Sequence, residues 1–318
     1  MLSVALCTYN GERYIRKQLE SILNQTMPVD EIVVCDDGST DSTIAIIESL
    51  RAVTTTDIRI YRNGYNLGVS SNFQKAVDLC RGDIVFLSDQ DDIWHLDKVS
   101  RTCCFFEKQQ DKTVLFSNGR LVDGDGIPIH DKTLWDCVGV SNKAMDCIKS
   151  GYGIELFAIA NRATGATMAL KRQFKYFHSF LHYCSNDVLH DYAIAFLALC
   201  ENQLGFIPQD LIDYRLHNSQ QVGVGSYFDN PLSDSVLDTD YHVHFLYNLN
   251  YPEPVNTRIG FMAQRAHFIN KAVGFVLIIF NFRKYCLNYK CRWFIFMFYD
   301  CGRWFVNMIH RLVGFRYK

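Results

Sequence analysis

Over its first hundred residues the chain alternates between short apolar runs and segments whose apolar residues recur every three or four positions. The runs Leu2–Thr8, Glu31–Cys35, Ile58–Tyr61 and the one opening at Ile84 read as strands. Between them, Glu12–Asn24 (through Tyr14, Ile15, Leu19, Ile22 and Leu23), Ser42–Leu50 and Phe73–Cys80 read as helices, with Asp41 or Ser42 placed to cap the second. A strand, a helix and a further strand in strict succession can close only through right-handed crossovers. The expected fold is therefore α/β, with a mostly parallel sheet flanked by helices that binds ligands at the carboxyl ends of its strands.

Three polar motifs fall at those ends: Thr8-Tyr9-Asn10, Asp36-Asp37-Gly38-Ser39 and Ser88-Asp89-Gln90-Asp91-Asp92. An isolated Asp-x-Asp reads first as an acidic surface turn. Three such motifs on one sheet edge instead point to a nucleotide site, with the last turn able to hold a divalent cation against a diphosphate. No Gly-x-Gly-x-x-Gly follows the first strand and no Gly-Lys-Ser or Gly-Lys-Thr loop is present, which argues against dinucleotide-dependent hydride transfer and nucleotide hydrolysis.

The residues SVALCTYNGERYIRKQLESILNQT, EIVVCDDGSTDST, NLGVSSNF and GDIVFLSDQDDIW together resemble the family 2 glycosyltransferases, whose Rossmann-like fold is called GT-A. The resemblance covers the first hundred residues closely. It returns in Thr164–Leu170 and from His190 to the Tyr214-Arg215-Leu216-His217 group, and it stops near Tyr251. The SDQDDIW form is similar to bacterial enzymes that add rhamnose or related sugars to surface polysaccharides of the O-antigen or capsule type.

The resemblance implies an inverting transfer from a nucleoside-diphosphate sugar, dTDP- or UDP-linked, assisted by Mg2+ or Mn2+. Carried onto this chain, it puts Thr8, Asn10 and Glu12 around the base and ribose, with Asp37 rather than Asp36 meeting the base. Asp36 reads equally well as a turn former bonded to its own loop. Asp91 is the implied metal ligand, Asp89 faces the ribose or the metal, and Asp92 caps the turn or the helix beyond it. Arg215 is implied to reach the diphosphate and His217 the metal or a phosphate. In the second half, spacing alone leaves Asp191 either a helix cap or a functional acid; the resemblance implies the general base. Thr164–Leu170 lines the acceptor side, with Gly165 allowing close backbone approach and Met168 and Leu170 in the core. Ile207-Pro208 and the segment from Tyr214 read as a loop. Leu121–Gly153, including Trp135, reads either as an acceptor-shaping segment or as a variable loop.

Charge divides the chain. From Arg258 to Lys318 there are eleven Lys or Arg and one acid, Asp300, a local balance of +10 in a chain whose net charge is −2. Interspersed with Ala272–Phe282 and Trp293–Tyr299, these residues have the composition of helices lying in a membrane interface. The alternative is a helical appendage that packs on the catalytic domain or pairs two copies into a homodimer. No nucleic-acid module accompanies the charge, so nucleic acid is not an expected partner. No apolar run reaches the length of about 20 residues that a membrane span needs, and the start MLSVALCTYN lacks a leader pattern.

The organisation expected is a GT-A catalytic domain over 1-225, divided into a nucleotide half (1-100) and an acceptor half (101-225), then a helical basic region over 226-318. The expected setting is the cytoplasmic face of the cell membrane, with a lipid-diphosphate-linked saccharide as acceptor and the twelve cysteines reduced. A non-catalytic sugar-nucleotide-binding or scaffolding protein of a polysaccharide-assembly complex is the competing expectation.

Overall fold

The computed structural model describes residues 1–158, 161–185, 188–217, 220 and 259. The expected basic helices of the tail lie outside these residues. By compactness the chain divides into Met1–Met145 with Arg162–Asp229, and Asp146–Asn161 with Asn230–Lys318.

The chain runs β1 (Leu2–Thr8), α1 (Ile15–Leu23), β2 (Glu31–Asp36), α2 (Thr43–Arg51), β3 (Asp57–Arg62), α3 (Val69–Leu79) and β4 (Ile84–Ser88). Then come β5 (Ile93–Trp94), α4 (Lys98–Lys108), β6 (Val114–Val122), β7 (Pro128–Thr133), α5 (Leu134–Val138), α6 (Asn142–Lys149) and α7 (Gly153–Phe157). The chain continues through a 3-10 turn at Gly165–Thr167, β8 (Ala169–Lys171), a second at Phe180–Tyr183, α8 (His190–Cys200) and β9 (Leu204–Arg215). Strands β1 to β4 are parallel neighbours in the order β3-β2-β1-β4. The sheet then continues through antiparallel β8 to β6, β9 and β5, with β7 paired on β6. This is the α/β, GT-A-like architecture expected.

The local reasons are legible. Val4, Leu6, Ile32, Val34 and Phe86 are fully buried and pack with Ile15, Leu19, Ile22 and Ile47 of the helices. Near-continuous apolar runs are what parallel strands covered on both faces need. Helix α3 starts four residues earlier than its apolar pattern suggests, because Gly68 adopts φ +81° and the next residues, although polar or small, turn helical after it. Helix α8 buries Tyr192 to Ala198 without interruption, so it is a core helix and not a surface one.

Two readings of the second half change. Ile207-Pro208 lies inside the twelve-residue strand β9, not in a loop; the register between β6 and β9 slips between Ser117–Ile207 and Asn118–Asp210, and that irregularity takes up a proline that cannot donate to the ladder. Trp135 lies in the helix α5, not in a loop. It is 4% exposed, and its indole N–H donates to the Ser117 carbonyl at 3.0 Å.

A buried ion pair ties β2 to β3. Glu31 is wholly buried and accepts from the Ser3 hydroxyl (2.6 Å), Arg81 N (2.5 Å) and Arg59 Nη2 (2.5 Å). Burial alone would raise its pKa, but these donors outweigh it and hold the carboxyl below its usual value. A depressed carboxylate stabilises the fold fully above its unfolded pKa, and that contribution is lost as pH falls through the folded one. Glu31→Ala, which strands Arg59, should cost about 2–3 kcal/mol at neutral pH. In urea titrations the gap between wild type and variant should narrow below about pH 4; a gap independent of pH would contradict this assignment.

Candidate active site

The site gathers at the carboxyl ends of β1, β2 and β4. Beyond β2, Asp36 is fully buried and accepts from the Thr8 hydroxyl (2.9 Å), Ser39 N (2.9 Å) and the Ser39 hydroxyl. Its alternatives thus resolve to turn former. Thr8 is 2% exposed, so its hydroxyl braces the β1 and β2 ends against each other. Asp37, 5% exposed, accepts from Asn63 Nδ2 (2.8 Å), Leu67 N (2.7 Å) and Gly68 N (3.0 Å). Of the roughly four lone-pair positions on a carboxylate, three are therefore in use, and a base would meet what remains.

Asn10 adopts φ +49° and is exposed; its Oδ1 accepts from Thr40 N at 2.9 Å, and its own N–H donates to the Ser39 hydroxyl. Glu12 was expected near the ribose. Its carboxylate instead accepts from Ser42 N at 2.9 Å, at the amino end of α2, where negative charge meets unpaired backbone N–H groups.

The acidic turn after β4 has three differently employed carboxylates. Asp91 Oδ2 lies 2.9 Å from His217 Nε2, with the two side chains 14% and 9% exposed. An oxygen donor and an imidazole nitrogen thus converge from positions 126 residues apart. Asp92, 2% exposed, accepts from Arg215 N (3.0 Å) and so fastens the turn to the end of β9; it does not cap α4. Burial, then Asp91 and Asp89, raise its pKa well above the carboxylate range. Asp89 makes no side-chain hydrogen bond among the described residues. Burial, then Asp91 and Asp191, push its carboxyl up to about 8. Among the described residues no three His, Cys, Asp or Glu side chains are grouped to hold a metal.

Arg215 was expected to face a diphosphate, and the structure gives it other work. It is 1% exposed; Nε donates to the Asp91 carbonyl (2.7 Å), and Nη1 to the carbonyls of Asp123 and Gly124 (both 3.2 Å). Nη2 is buried with no hydrogen-bond partner among the described residues. The guanidinium therefore clamps the acidic turn from behind. It lies 4.9 Å from the centroid of the Tyr14 ring, and the Tyr14 and His217 rings are 4.6 Å apart. Tyr14 therefore orients both partners of the turn. Sequence reading placed it only on the apolar face of α1; the Tyr-Arg-His contact has no signature in sequence spacing.

Asp191 sits in the first turn of α8, where its Oδ1 accepts from Tyr192 N at 2.7 Å. Its position is set by His190. That ring is 4% exposed and stacked 4.2 Å from Phe73 of α3, and the backbone N–H of His190 donates to the Ser70 hydroxyl. Burial drives the ring's pKa down to about 3, so it is a neutral wedge. Gly165 is needed here: a Cβ there would stand 2.7 Å from His190 Nε2 and 3.6 Å from Asp191 Cβ. The Gly165–Thr167 turn is in turn tied to the start of α4 by Lys98, whose Nζ donates to the Ala166 carbonyl at 3.3 Å. Burial lowers the pKa of this 1% exposed lysine to about 7. Asp89, Asp91, Asp92 and Asp191 all act on the buried Tyr214 hydroxyl, whose pKa burial and these four charges raise.

The chain is similar to known proteins in sequence and in fold. The model of the family described as glycosyl transferase family 2 matches residues 3–163. The chain is 29% identical over 233 residues to a dTDP-rhamnosyl transferase, RfbG, of Shigella flexneri, covering 70% of this chain and 75% of that one. Among solved structures, S. aureus TarS 1-349 in complex with UDP-GlcNAc superposes with a TM-score of 0.55 at 17% identity, over 96% of this chain and 88% of that one. Mannosyltransferase PcManGT from Pyrobaculum calidifontis, in complex with GDP-Man and Mn2+, gives 0.53 at 14% identity, over 98% and 86%.

Proposed function

The chain belongs to glycosyl transferase family 2, and on that premise we propose that it is an inverting, divalent-metal-assisted transferase that moves a deoxyhexose, rhamnose in first place, from a dTDP- or UDP-sugar to a saccharide acceptor in polysaccharide synthesis. The observation that carries this is the convergence of Asp91 and His217, 2.9 Å apart beyond the carboxyl end of β4, in a chain that also sets an acid, Asp191, in the first turn of α8. A site that must neutralise a departing diphosphate and deprotonate an attacking hydroxyl needs acids on both sides of the sugar.

A metal fits the residues present. Asp91 and His217, one oxygen and one nitrogen donor 2.9 Å apart, would hold a divalent ion such as Mn2+. When bound, the metal supplies Lewis-acid stabilisation of the charge developing on the leaving diphosphate. Asp191 takes the proton of the acceptor hydroxyl as its oxygen attacks the anomeric carbon from the face opposite the diphosphate. One displacement inverts the anomeric configuration, so no second carboxylate is required as a nucleophile. Asp89 faces the ribose or the metal. The residual lone pair of Asp37 and the exposed Asn10 amide meet the nucleoside, and Thr8, Glu12 and Arg215 hold the loops in place.

The similarity to the dTDP-rhamnosyl transferase of Shigella flexneri supports the sugar and the nucleotide. The basic region after Arg258 supports a lipid-diphosphate-linked acceptor and attachment to an anionic membrane surface. Among the described residues no helix is long and apolar enough to cross a membrane. The test is a panel of dTDP- and UDP-sugars with Mn2+ and a lipid-diphosphate disaccharide, read by product mass. The expected result is a mass gain of one deoxyhexose from dTDP-rhamnose; donor binding without product would favour the scaffolding alternative.

A further inference from the structure

Parallel pairing of β1 with β4 runs from Leu2–Ile84 to Leu6–Ser88 and stops there. Past that point the two chains diverge into the loop proposed for the nucleoside, Thr8–Asn10, and the turn proposed for the metal, Asp89–Asp91. A single side chain spans the gap. Gln90 Oε1 accepts from Tyr9 N at 2.8 Å, and Gln90 Nε2 donates to the Tyr9 carbonyl at 3.0 Å. The amide thereby reproduces the two-point rung that a neighbouring strand's backbone would supply. Only an amide side chain carries both a donor and an acceptor in that plane; a carboxylate of the same length lacks the donor.

Gly11 completes the fit. A Cβ there would stand 2.2 Å from Gln90 Oε1 and 2.5 Å from its Cδ, so any larger residue expels the amide. The far side of the loop is fastened to the β2 side independently: Asn10 N donates to the Ser39 hydroxyl, Gly11 N to the Thr43 hydroxyl, and Thr40 N to Asn10 Oδ1. Among the described residues, then, hydrogen bonding between the loop at 9–11 and the turn at 89–92 depends on Gln90.

We infer that Gln90 is a positioning residue that fixes the spacing between the nucleoside loop and the metal turn, so that one donor engages both at once; this rests on the metal-dependent transferase reading above. Two recognition elements act on one ligand in concert only while their separation is held, and slack between them penalises the ligand that touches both. It does not penalise a ligand that touches one.

Titrations of UDP and dTDP with Mn2+, of UMP without metal, and of Mn2+ alone would test this on wild type, Gln90→Ala and Gln90→Glu. For Gln90→Ala the expected result is diphosphate binding with Mn2+ weakened about tenfold, with UMP and Mn2+ alone within about twofold of wild type. Gln90→Glu, which keeps the acceptor, should fall between. Gly11→Ala should weaken diphosphate binding comparably in the wild-type background, yet by less than about twofold in the Gln90→Ala background, because the group it displaces is already gone. Unchanged diphosphate binding in Gln90→Ala, or an equal loss for UMP or Mn2+ alone, overturns the inference while leaving the transferase reading intact. A wild type that binds neither diphosphate with Mn2+ overturns both.

Discussion

Asp91→Asn is expected to lower sugar transfer by about a thousandfold or more while leaving the fold in place. The magnitude follows from what the metal is asked to supply: several kcal/mol of charge stabilisation on the departing diphosphate, with each 1.4 kcal/mol worth about a factor of ten. Asparagine keeps the size of the side chain and an acceptor towards His217, so the turn should stay closed. It also removes one of the charges that raise the Asp89 and Asp92 pKa values, so urea stability should be equal to wild type or slightly higher. Because Asp91 and His217 converge on one position, His217→Ala should add little to Asp91→Asn, the non-additivity expected of two groups serving one ion. The measurement is kcat at saturating donor over a range of Mn2+, with EDTA-treated wild type as reference. Transfer by Asp91→Asn at the wild-type rate would remove Asp91 from the chemistry.

Asp191→Asn should be comparably severe but should differ in kind. General base catalysis contributes typically about 10^2 to 10^4 in rate, and asparagine cannot take a proton. Donor binding should be unaltered, since Asp91, His217 and the nucleoside loop are untouched; the loss should fall on kcat with the donor Kd within about twofold. The helix start should survive, because Asn is also accepted in a first turn and the lost charge there is worth only about 0.3–1 kcal/mol. The same variant separates an enzyme from a sugar-nucleotide scaffold, whose function would not notice it. A kcat within threefold of wild type would return Asp191 to the role of a helix-terminal acid.

The contrast between these two variants and the residues around them shows how far the sequence could be read. Asp89, Asp91 and Asp191 each had a structural alternative on spacing alone; they stood out because three polar motifs fall on one sheet edge and because the family resemblance implies an acid in the first turn of the later helix. Thr8, Glu12 and Arg215 belong to the same motifs, yet each is engaged within the protein: Thr8 by Asp36, one oxygen of the exposed Glu12 by the amino end of α2, and Arg215 by the backbone carbonyls of the turn. A motif records that a residue type is required at a position; it does not record whether the polar atom faces the ligand or the loop that presents the ligand. Arg215 is the clearest case, because a guanidinium that braces carbonyls and one that binds phosphate look identical in sequence. Tyr14 and Gln90 went unread for the opposite reason. Each acts on groups far away in the chain, His217 and Tyr9, and distant pairing leaves no local periodicity.

What the sequence alone determined was the alternation of strand and helix, and through it the sheet edge on which ligands must gather. Apolar periodicity and strand-end polarity are local properties, and a parallel sheet follows from them by the handedness of its crossovers. What only the tertiary structure decided was employment: which carboxylate is braced, which is open, and which side chains hold the two sides of the site at a fixed separation. Hydrogen bonds are short and directional, so a partner 81 or 126 residues away becomes legible only once the chain has folded.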